Sequence, residues 1–356
     1  MCGIIGIVSD GSKNQMISKL LRESLKRLEY RGYDSAGIAL INNNTLYIKK
    51  DKGIIDDIHK KVNFDTLKGS YGIGHTRWAT HGIPNKINSH PHCDCNNKIA
   101  VVHNGIIENF YELKKKLIRQ GHIFKSDTDT EVIPHLIESY MKGKTKDNAL
   151  ENALKKTLNE LKGTYTIVAI HSDIPNKIVC VRRDSPLVIG IDTNAIYCAS
   201  DIPAFLPMTN RVLMLNNNEI TSIMPNKIII HNTNLEEVNI EDRKILRISW
   251  TPKMAQKGGR PHFMQKEIHE QPTTISNTLK IDWEKILGFT KYLNNTPPGQ
   301  IYITAAGTSY HAGLAGKYML TNIAKTQSHP VISSEFREYI GDTLNEIGRA
   351  SCRERV

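Results

Sequence analysis

Directly behind Met1 the chain runs CGIIGIVS, an apolar, β-branched strand that opens on a cysteine. Chain ends fray into solvent unless something ties them down, and an exposed terminal thiol is open to oxidation. A strand of this composition at the start has to be buried in a sheet, so the fold must be built around it. Burial would also hold Cys2 still, which makes the end of the chain a candidate for the working part of the molecule.

The segments that follow narrow the architecture. In KNQMISKLLRESLKRLEY a helix is expected behind a Ser12 cap, with Met16, Ile17, Leu20, Leu21, Leu25 and Leu28 on one stripe. GIALINNNTLYIKK reads as two strands around an asparagine turn. The strand–loop stretches GSYGIGHTRWATHG and KIAVVHNGIIENF come next. Helices are expected in FYELKKKLIRQG, closed by Gly121, in TEVIPHLIESYMKG, and in NALENALKKTLNELKG, closed by Gly163. From there to about Met224 the pattern is mostly β. Strands and helices grouped in this way predict α+β layers with antiparallel sheets.

From about Leu235 to His262 the pattern loosens into charges, two glycines and prolines, which predicts a linker over 236–262. Beyond it, QIYITAAGTSYHAGLAGKYMLTNIAK and HPVISSEF read as strand–turn–helix–strand, a βαβ unit with a parallel sheet in a separate domain. The expected division is therefore 2–235, a linker at 236–262, and a second domain at 263–346. The last ten residues, IGRASCRERV (347–356), back-translate to a read-through of a common sequencing-library adapter. The natural chain is expected to continue past Glu346.

Composition excludes several function classes. The 356 residues carry a net charge of +11, but the lysines are interleaved with acids on helix faces. No basic run with interleaved aromatics is present, so a nucleic-acid partner is not expected. No 18-residue apolar run and no secretory leader pattern occur, which excludes a membrane-spanning helix. Six cysteines, at 2, 93, 95, 180, 198 and 352, lack the density of a disulfide scaffold and fit a reducing cytoplasm. SHPHCDC packs His90, His92, Cys93 and Cys95 into six positions and invites a zinc reading. Four ligands so close along one segment rarely close a tetrahedron, so no metal and no cofactor are expected.

With Met1 removed, Cys2 would own a thiol and a free α-amine of similar pKa, so the residue could carry its own general base. YGIGHTRWATHG supplies Arg77, Trp78, Thr80 and His81, and Arg77 could hold a carboxylate in a bidentate fork. VVHNGIIENF puts Asn104 and Gly105 just past an apolar strand, where an amide and an unhindered backbone N–H suit an oxyanion. In SDTDTEV, Asp129 stands near a helix start and could bind an ammonium. A carboxylate clamp, an ammonium anchor, oxyanion donors and a terminal thiol together describe a site for an α-amino acid attacked at its side-chain carbonyl.

MCGI, RLEYRGYDSAG, GHTRWATHG, SHPH, VVHNGIIEN and SDTDTEV closely resemble the glutaminase domain of the isomerising glutamine–fructose-6-phosphate aminotransferase family, which makes glucosamine 6-phosphate. The resemblance covers nearly all of Cys2 to Glu346. It implies an N-terminal-nucleophile hydrolase fold, an αββα sandwich of the class II glutamine amidotransferases, followed by a partial α/β sugar-isomerase (SIS) domain. It further implies Cys2 as nucleophile with its amine as base, and Asn104 and Gly105 in the oxyanion hole. Arg77, Thr80, His81 and Asp129 would bind glutamine. Arg31 would order the surroundings of the nucleophile, Trp78 would gate the ammonia path, and His90 would lie at a mobile edge of the site. In the second domain AAGTSYHAG resembles a sugar-phosphate loop, with Thr308 and Ser309 at a helix N-terminus and Glu335 facing the sugar. Ala306 departs from the cysteine common there, which bears on thiol sensitivity more than on catalysis.

The partners implied are L-glutamine, fructose 6-phosphate and a second copy of the full-length chain; as given, the chain is expected to support only the glutaminase half. Two other readings remain: a related class II amidotransferase with another acceptor, such as the phosphoribosyl-diphosphate type, and a non-catalytic sugar-phosphate sensor in which Cys2 is inert.

Overall fold

Strand β1 (Gly3–Ser9) is buried along its whole length. Its side chains alternate, with Ile4 and Val8 on one face and Ile5 and Ile7 on the other, and all four are fully buried. Each such side chain contributes roughly 1.5–3 kcal/mol, comparable in sum with the roughly 1–2 kcal/mol per residue of ordering a strand. Burial therefore anchors the chain end. The structure is a computed structural model and describes residues 2–11, 16–141, 148–240, 243–249, 251, 260, 263–279, 283–295 and 301–341.

The strands that follow are β2 (Ser35–Asn42), β3 (Thr45–Lys52), β4 (Tyr71–Arg77), β5 (His92–Cys93), β6 (Ile99–Ile107), β7 (Gly163–His171), β8 (Ile174–Arg183), β9 (Val188–Ile191), β10 (Ala195–Ala199), β11 (Arg211–Met214), β12 (Ile220–Met224), β13 (Lys227–His231), β14 (Glu237–Val238) and β15 (Leu246–Arg247). They form two antiparallel sheets. One has the order β15-β11-β9-β10-β1-β4-β2-β3 and the other β14-β13-β12-β8-β7-β6-β5. Asn43 and Asn44, both at positive φ, make the turn between β2 and β3.

Helices α1 (Ile17–Arg27) and α2 (Ile55–Val62) cover the outer face of the first sheet. Helices α3 (Phe110–Arg119), α4 (Val132–Met141) and α5 (Ala149–Glu160) cover the second. Between the sheets lies a third apolar layer that includes Ile4, Val8, Ile73, Val102, Val168 and Cys198. This is the expected αββα sandwich.

Local details depart from the sequence reading. On α1, Ile17, Leu21, Leu25 and Leu28 are buried, whereas Met16 is 53% exposed; Ser12 lies outside the described residues. Helix α3 ends at Gly121 (φ +94), where Gly121 N–H donates to the Ile118 carbonyl and His122 N–H to that of Leu117. That is a Schellman turn. Gly163 does not close α5, which stops at Glu160; it opens β7 instead. The stretch expected as a linker contributes edge strands, β14 pairing with β13 and β15 with β11.

The chain divides into two units, Met1–Lys266 and Glu267–Val356, and the division falls inside α6 (Phe263–Thr278). In the second unit come α7 (Trp283–Asn295), β16 (Ile301–Ala305), α8 (Gly307–Asn322), β17 (Ser328–Ile332) and α9 (Phe336–Ile340). Strands β16 and β17 pair in parallel across α8, the expected βαβ unit. Residues 342–356, including the adapter-like tail, lie outside the described residues. Among the described residues no helix is long and apolar enough to cross a membrane.

Candidate active site

The register of β1 against β4 pairs Gly3 with Thr76, so Cys2 emerges beside the end of β4. Cys2 Sγ accepts a hydrogen bond from Trp78 N–H at 3.2 Å and lies 3.5 Å from the Trp78 carbonyl. The Cys2 carbonyl is clamped from two sides, by Arg31 Nε at 3.1 Å and Asn104 Nδ2 at 2.8 Å. Arg31 is itself held by Asp201, whose Oδ2 accepts from Arg31 Nη1 at 3.1 Å and from the Tyr30 hydroxyl at 2.5 Å. Burial pushes the Cys2 thiol above its usual pKa, against the Trp78 N–H and the charges of Arg77 and Arg31. A thiol in that condition needs a base to become a nucleophile.

Arg77, 3% exposed, closes the loop after β4. Its Nη2 donates to the carbonyls of His81 and Gly82, while the buried Nη1 has no partner among the described residues. Burial lowers its pKa, and the fields of Cys2, Asp129 and Asp34 oppose this. Asp34 Oδ2 accepts from Ala79 N–H at 2.7 Å and fixes the near side of the loop. Thr80 Oγ1 stands 3.4 Å from His81 Nδ1, and the His81 ring meets Phe110 edge-on. The Trp78 indole is 45% exposed and lies edge-on to Tyr33.

Asp129 sits in the turn before α4, 4% exposed, and its Oδ2 accepts from Ile107 N–H at 2.9 Å. Asn88 ties this turn to the Arg77 loop, because its Oδ1 accepts from Asp127 N–H at 3.0 Å and its Nδ2 donates to the Ile83 carbonyl at 3.1 Å. Gly105 has φ +123, and a Cβ there would stand 2.0 Å from the Thr164 carbonyl oxygen. Only glycine fits.

His75 is a functional residue that residue-type reasoning missed. Its Nε2 faces two acceptors, the His103 carbonyl at 3.0 Å and Asn104 Oδ1 at 3.1 Å, so Nε2 carries the proton. That bond orients the Asn104 amide and turns Nδ2 toward Cys2. Burial drives the His75 pKa down to about 3, so the ring stays neutral. The only signal in the sequence is its place in GHTRW, two residues before Arg77.

His90, expected at a mobile edge of the site, lies in a buried layer. It is 4% exposed, stacked on His75 at 4.0 Å, and in edge contact with His92. Thr130 Oγ1 links it, at 3.5 Å, to the turn that holds Asp129. The SHPHCDC residues likewise do not converge on one point. His90 and His92 join the buried histidine layer, burial raises the Cys93 thiol to about 12, and Cys95 turns toward His122, His135 and Glu138. In the second unit, Thr308 and Ser309 occupy the first turn of α8 behind Ala306, and Glu335 follows β17.

Residues 75–207 match the model of the glutamine amidotransferase domain family. The chain is 45% identical over 346 residues to the isomerising glutamine–fructose-6-phosphate aminotransferase of Thermococcus kodakarensis, covering 97% of this chain and 56% of that protein. The Pyrococcus horikoshii protein of the same name is 46% identical over 338 residues, 95% of this chain and 54% of that one. The chain thus spans about half the length of the curated relatives it matches. Among solved structures, Bacillus subtilis glutamine phosphoribosylpyrophosphate amidotransferase superposes with a TM-score of 0.55 at 26% identity, over 68% of this chain and 54% of that one. A buried, clamped Cys2 at the head of an αββα sandwich agrees with these matches: the fold is that of the class II, N-terminal-nucleophile glutamine amidotransferases, and the chain is similar over nearly its whole length to the isomerising glutamine–fructose-6-phosphate aminotransferases.

Proposed function

We propose that Cys2 hydrolyses the side-chain amide of glutamine and that, in a longer natural protein, the ammonia goes to fructose 6-phosphate to make glucosamine 6-phosphate. The observation that carries this reading is the double clamp on the Cys2 carbonyl with the thiol on Trp78 N–H. The unpartnered Nη1 of Arg77 supports a role on the glutamine carboxylate, and the buried Asp129 carboxylate one on its ammonium. Thr80 and His81 border the same loop.

With Met1 removed, the α-amine of Cys2 takes the thiol proton. Sγ bonds to the amide carbon and the carbonyl pair moves onto oxygen. The second proton of Asn104 Nδ2 and the Gly105 N–H stabilise that oxyanion. The protonated amine then gives its proton to the amide nitrogen, the C–N bond breaks, and ammonia leaves a γ-glutamyl thioester. Water, deprotonated by the same amine, releases glutamate and restores the thiol. Arg31 and Asn104 keep the nucleophile aligned, and the exposed Trp78 indole gates the departure of ammonia.

Thr308, Ser309 and Glu335 belong to a sugar-phosphate site completed by chain beyond residue 346. The assembled protein is a cytoplasmic homodimer. Cys2→Ala should abolish glutamate release, and hydroxylamine should trap a γ-glutamyl hydroxamate only with the thiol present. Undiminished release from the alanine variant would sink the mechanism.

A further inference from the structure

On the far side of the second sheet from Cys2, four side chains from three segments converge. Cys95 follows β5, His122 ends the Schellman turn of α3, and His135 and Glu138 stand one turn apart on α4. Each offers one ligand atom, and these atoms lie within 4.8 Å of one another. Cys95 Sγ is 3.7 Å from His122 Nδ1 and 3.5 Å from His135 Nδ1. The two Nδ1 atoms are 3.3 Å apart, and Glu138 Oε2 stands 2.9 Å from the first and 3.4 Å from the second. A tetrahedral zinc with bonds of about 2.05 Å to N and O and about 2.3 Å to S requires edges of about 3.3 Å between N or O ligands and about 3.6 Å from S to N. The five measured edges fall around those values. We propose that Cys95, His122, His135 and Glu138 form a closed, structural Zn²⁺ site.

The surroundings of the four atoms support this assignment. His135 Nε2 stands 3.8 Å from Glu131 Oε1. The buried Nε2 makes no hydrogen bond among the described residues, and a proton on it, facing that carboxylate, leaves the Nδ1 lone pair bare among the other three ligands. His122 Nε2 is 2.8 Å from Ser139 Oγ, and Glu138 Oε1 accepts from Asn96 Nδ2 at 2.6 Å. Cys95 Sγ accepts from Ile123 N–H at 3.4 Å, a bond that suits a thiolate. A thiolate, two imidazoles and a carboxylate in tetrahedral array select zinc over the hard cations. A cleft of about 820 Å³ lined by His122, Glu138 and Ser139, among others, provides an entry path. SHPHCDC by itself suggested no metal because the partners of Cys95 lie 27, 40 and 43 positions further on. A bound ion would cross-link both ends of 122–135, the segment that carries Asp129.

Elemental mass spectrometry of the full chain, prepared without a histidine tag and dialysed, should find about one zinc per chain, falling to about a tenth or less in Cys95→Ser. Substitution with Co²⁺ should give thiolate-to-metal charge-transfer absorption that persists in Cys93→Ser, whose thiol lies outside the cluster, and disappears in Cys95→Ser. A chelator should lower the thermal midpoint of the wild type and speed hydrogen exchange across 122–131. If Cys95→Ser fails to fold, the wild-type metal content and cobalt spectrum decide. Zinc well below one per chain together with no charge-transfer band would overturn the site, and stoichiometric iron would overturn the choice of metal.

Discussion

The neutral His75 ring makes acid stability a direct probe of the support behind Asn104. Its pKa is about 3 in the folded protein, against 6.5 for an unperturbed histidine. Above pH 6.5 both folded and unfolded states are neutral at this site, and the stability it contributes is fully present. Below 6.5 the unfolded chain takes a proton that the buried ring refuses, so stability falls with pH until the folded pKa is reached. Linkage puts the loss from His75 alone at about 2 kcal/mol between about pH 7.5 and about pH 5, and about 4 kcal/mol by about pH 3. His90, His92 and His103 are lowered in the same direction, each foremost by burial, so the whole layer favours acid unfolding.

Replacing His75 with glutamine keeps an N–H donor for Asn104 Oδ1 and the His103 carbonyl but cannot take up the proton. At about pH 7.5 the variant should be less stable by about 1–2 kcal/mol, because the stacking on His90 is lost. Urea unfolding of both proteins over a buffer series would then show the gap shrinking by about 2 kcal/mol on going to about pH 5. Parallel stability curves for the two proteins would refute the reasoning, since they would mean that His75 is free to protonate in the fold.

Gly105→Ala places a Cβ 2.0 Å from the Thr164 carbonyl oxygen at φ +123 and should lower stability by about 3 kcal/mol or more, read from the urea midpoint. Gly121→Ala also stands at positive φ but meets nothing within 4 Å, so it should lose only about 1 kcal/mol; equal losses would contradict the steric account. Arg77→Lys removes the fork and should raise the KM for glutamine about 100-fold in a glutamate-release assay, with a smaller change in kcat. Asp201→Asn weakens the hold on Arg31 and should lower kcat about tenfold with KM little changed; a rise confined to KM would remove Arg31 from the alignment of Cys2.

What could be read from the sequence was what each segment carries locally. The burial of CGIIGIVS, the Asn43–Asn44 turn and the α1 stripe follow from alternation, positive-φ residues and 3.6-residue spacing, each decided within a few positions. Cys2, Arg77, Asn104 and Asp129 stood out because their residue types match the parts of an amino-acid substrate. What could not be read was pairing across the chain. Nothing near His75 reveals that β4 runs antiparallel to β1 and delivers its ring to Asn104, 29 positions away. Nearness in the chain misled as readily as it helped. His90 and His92 stand two positions apart and their rings meet edge-on in one buried layer. Cys95 lies past the end of β5 and meets His122 and His135 from another layer. His135 and Glu138 are neighbours by helical spacing, but only the Schellman turn at Gly121 delivers His122 to them. A tight cluster of candidate ligands in one loop is thus weak evidence for a site, because its side chains turn to different neighbours, and the set that converges is assembled by turns and helix ends.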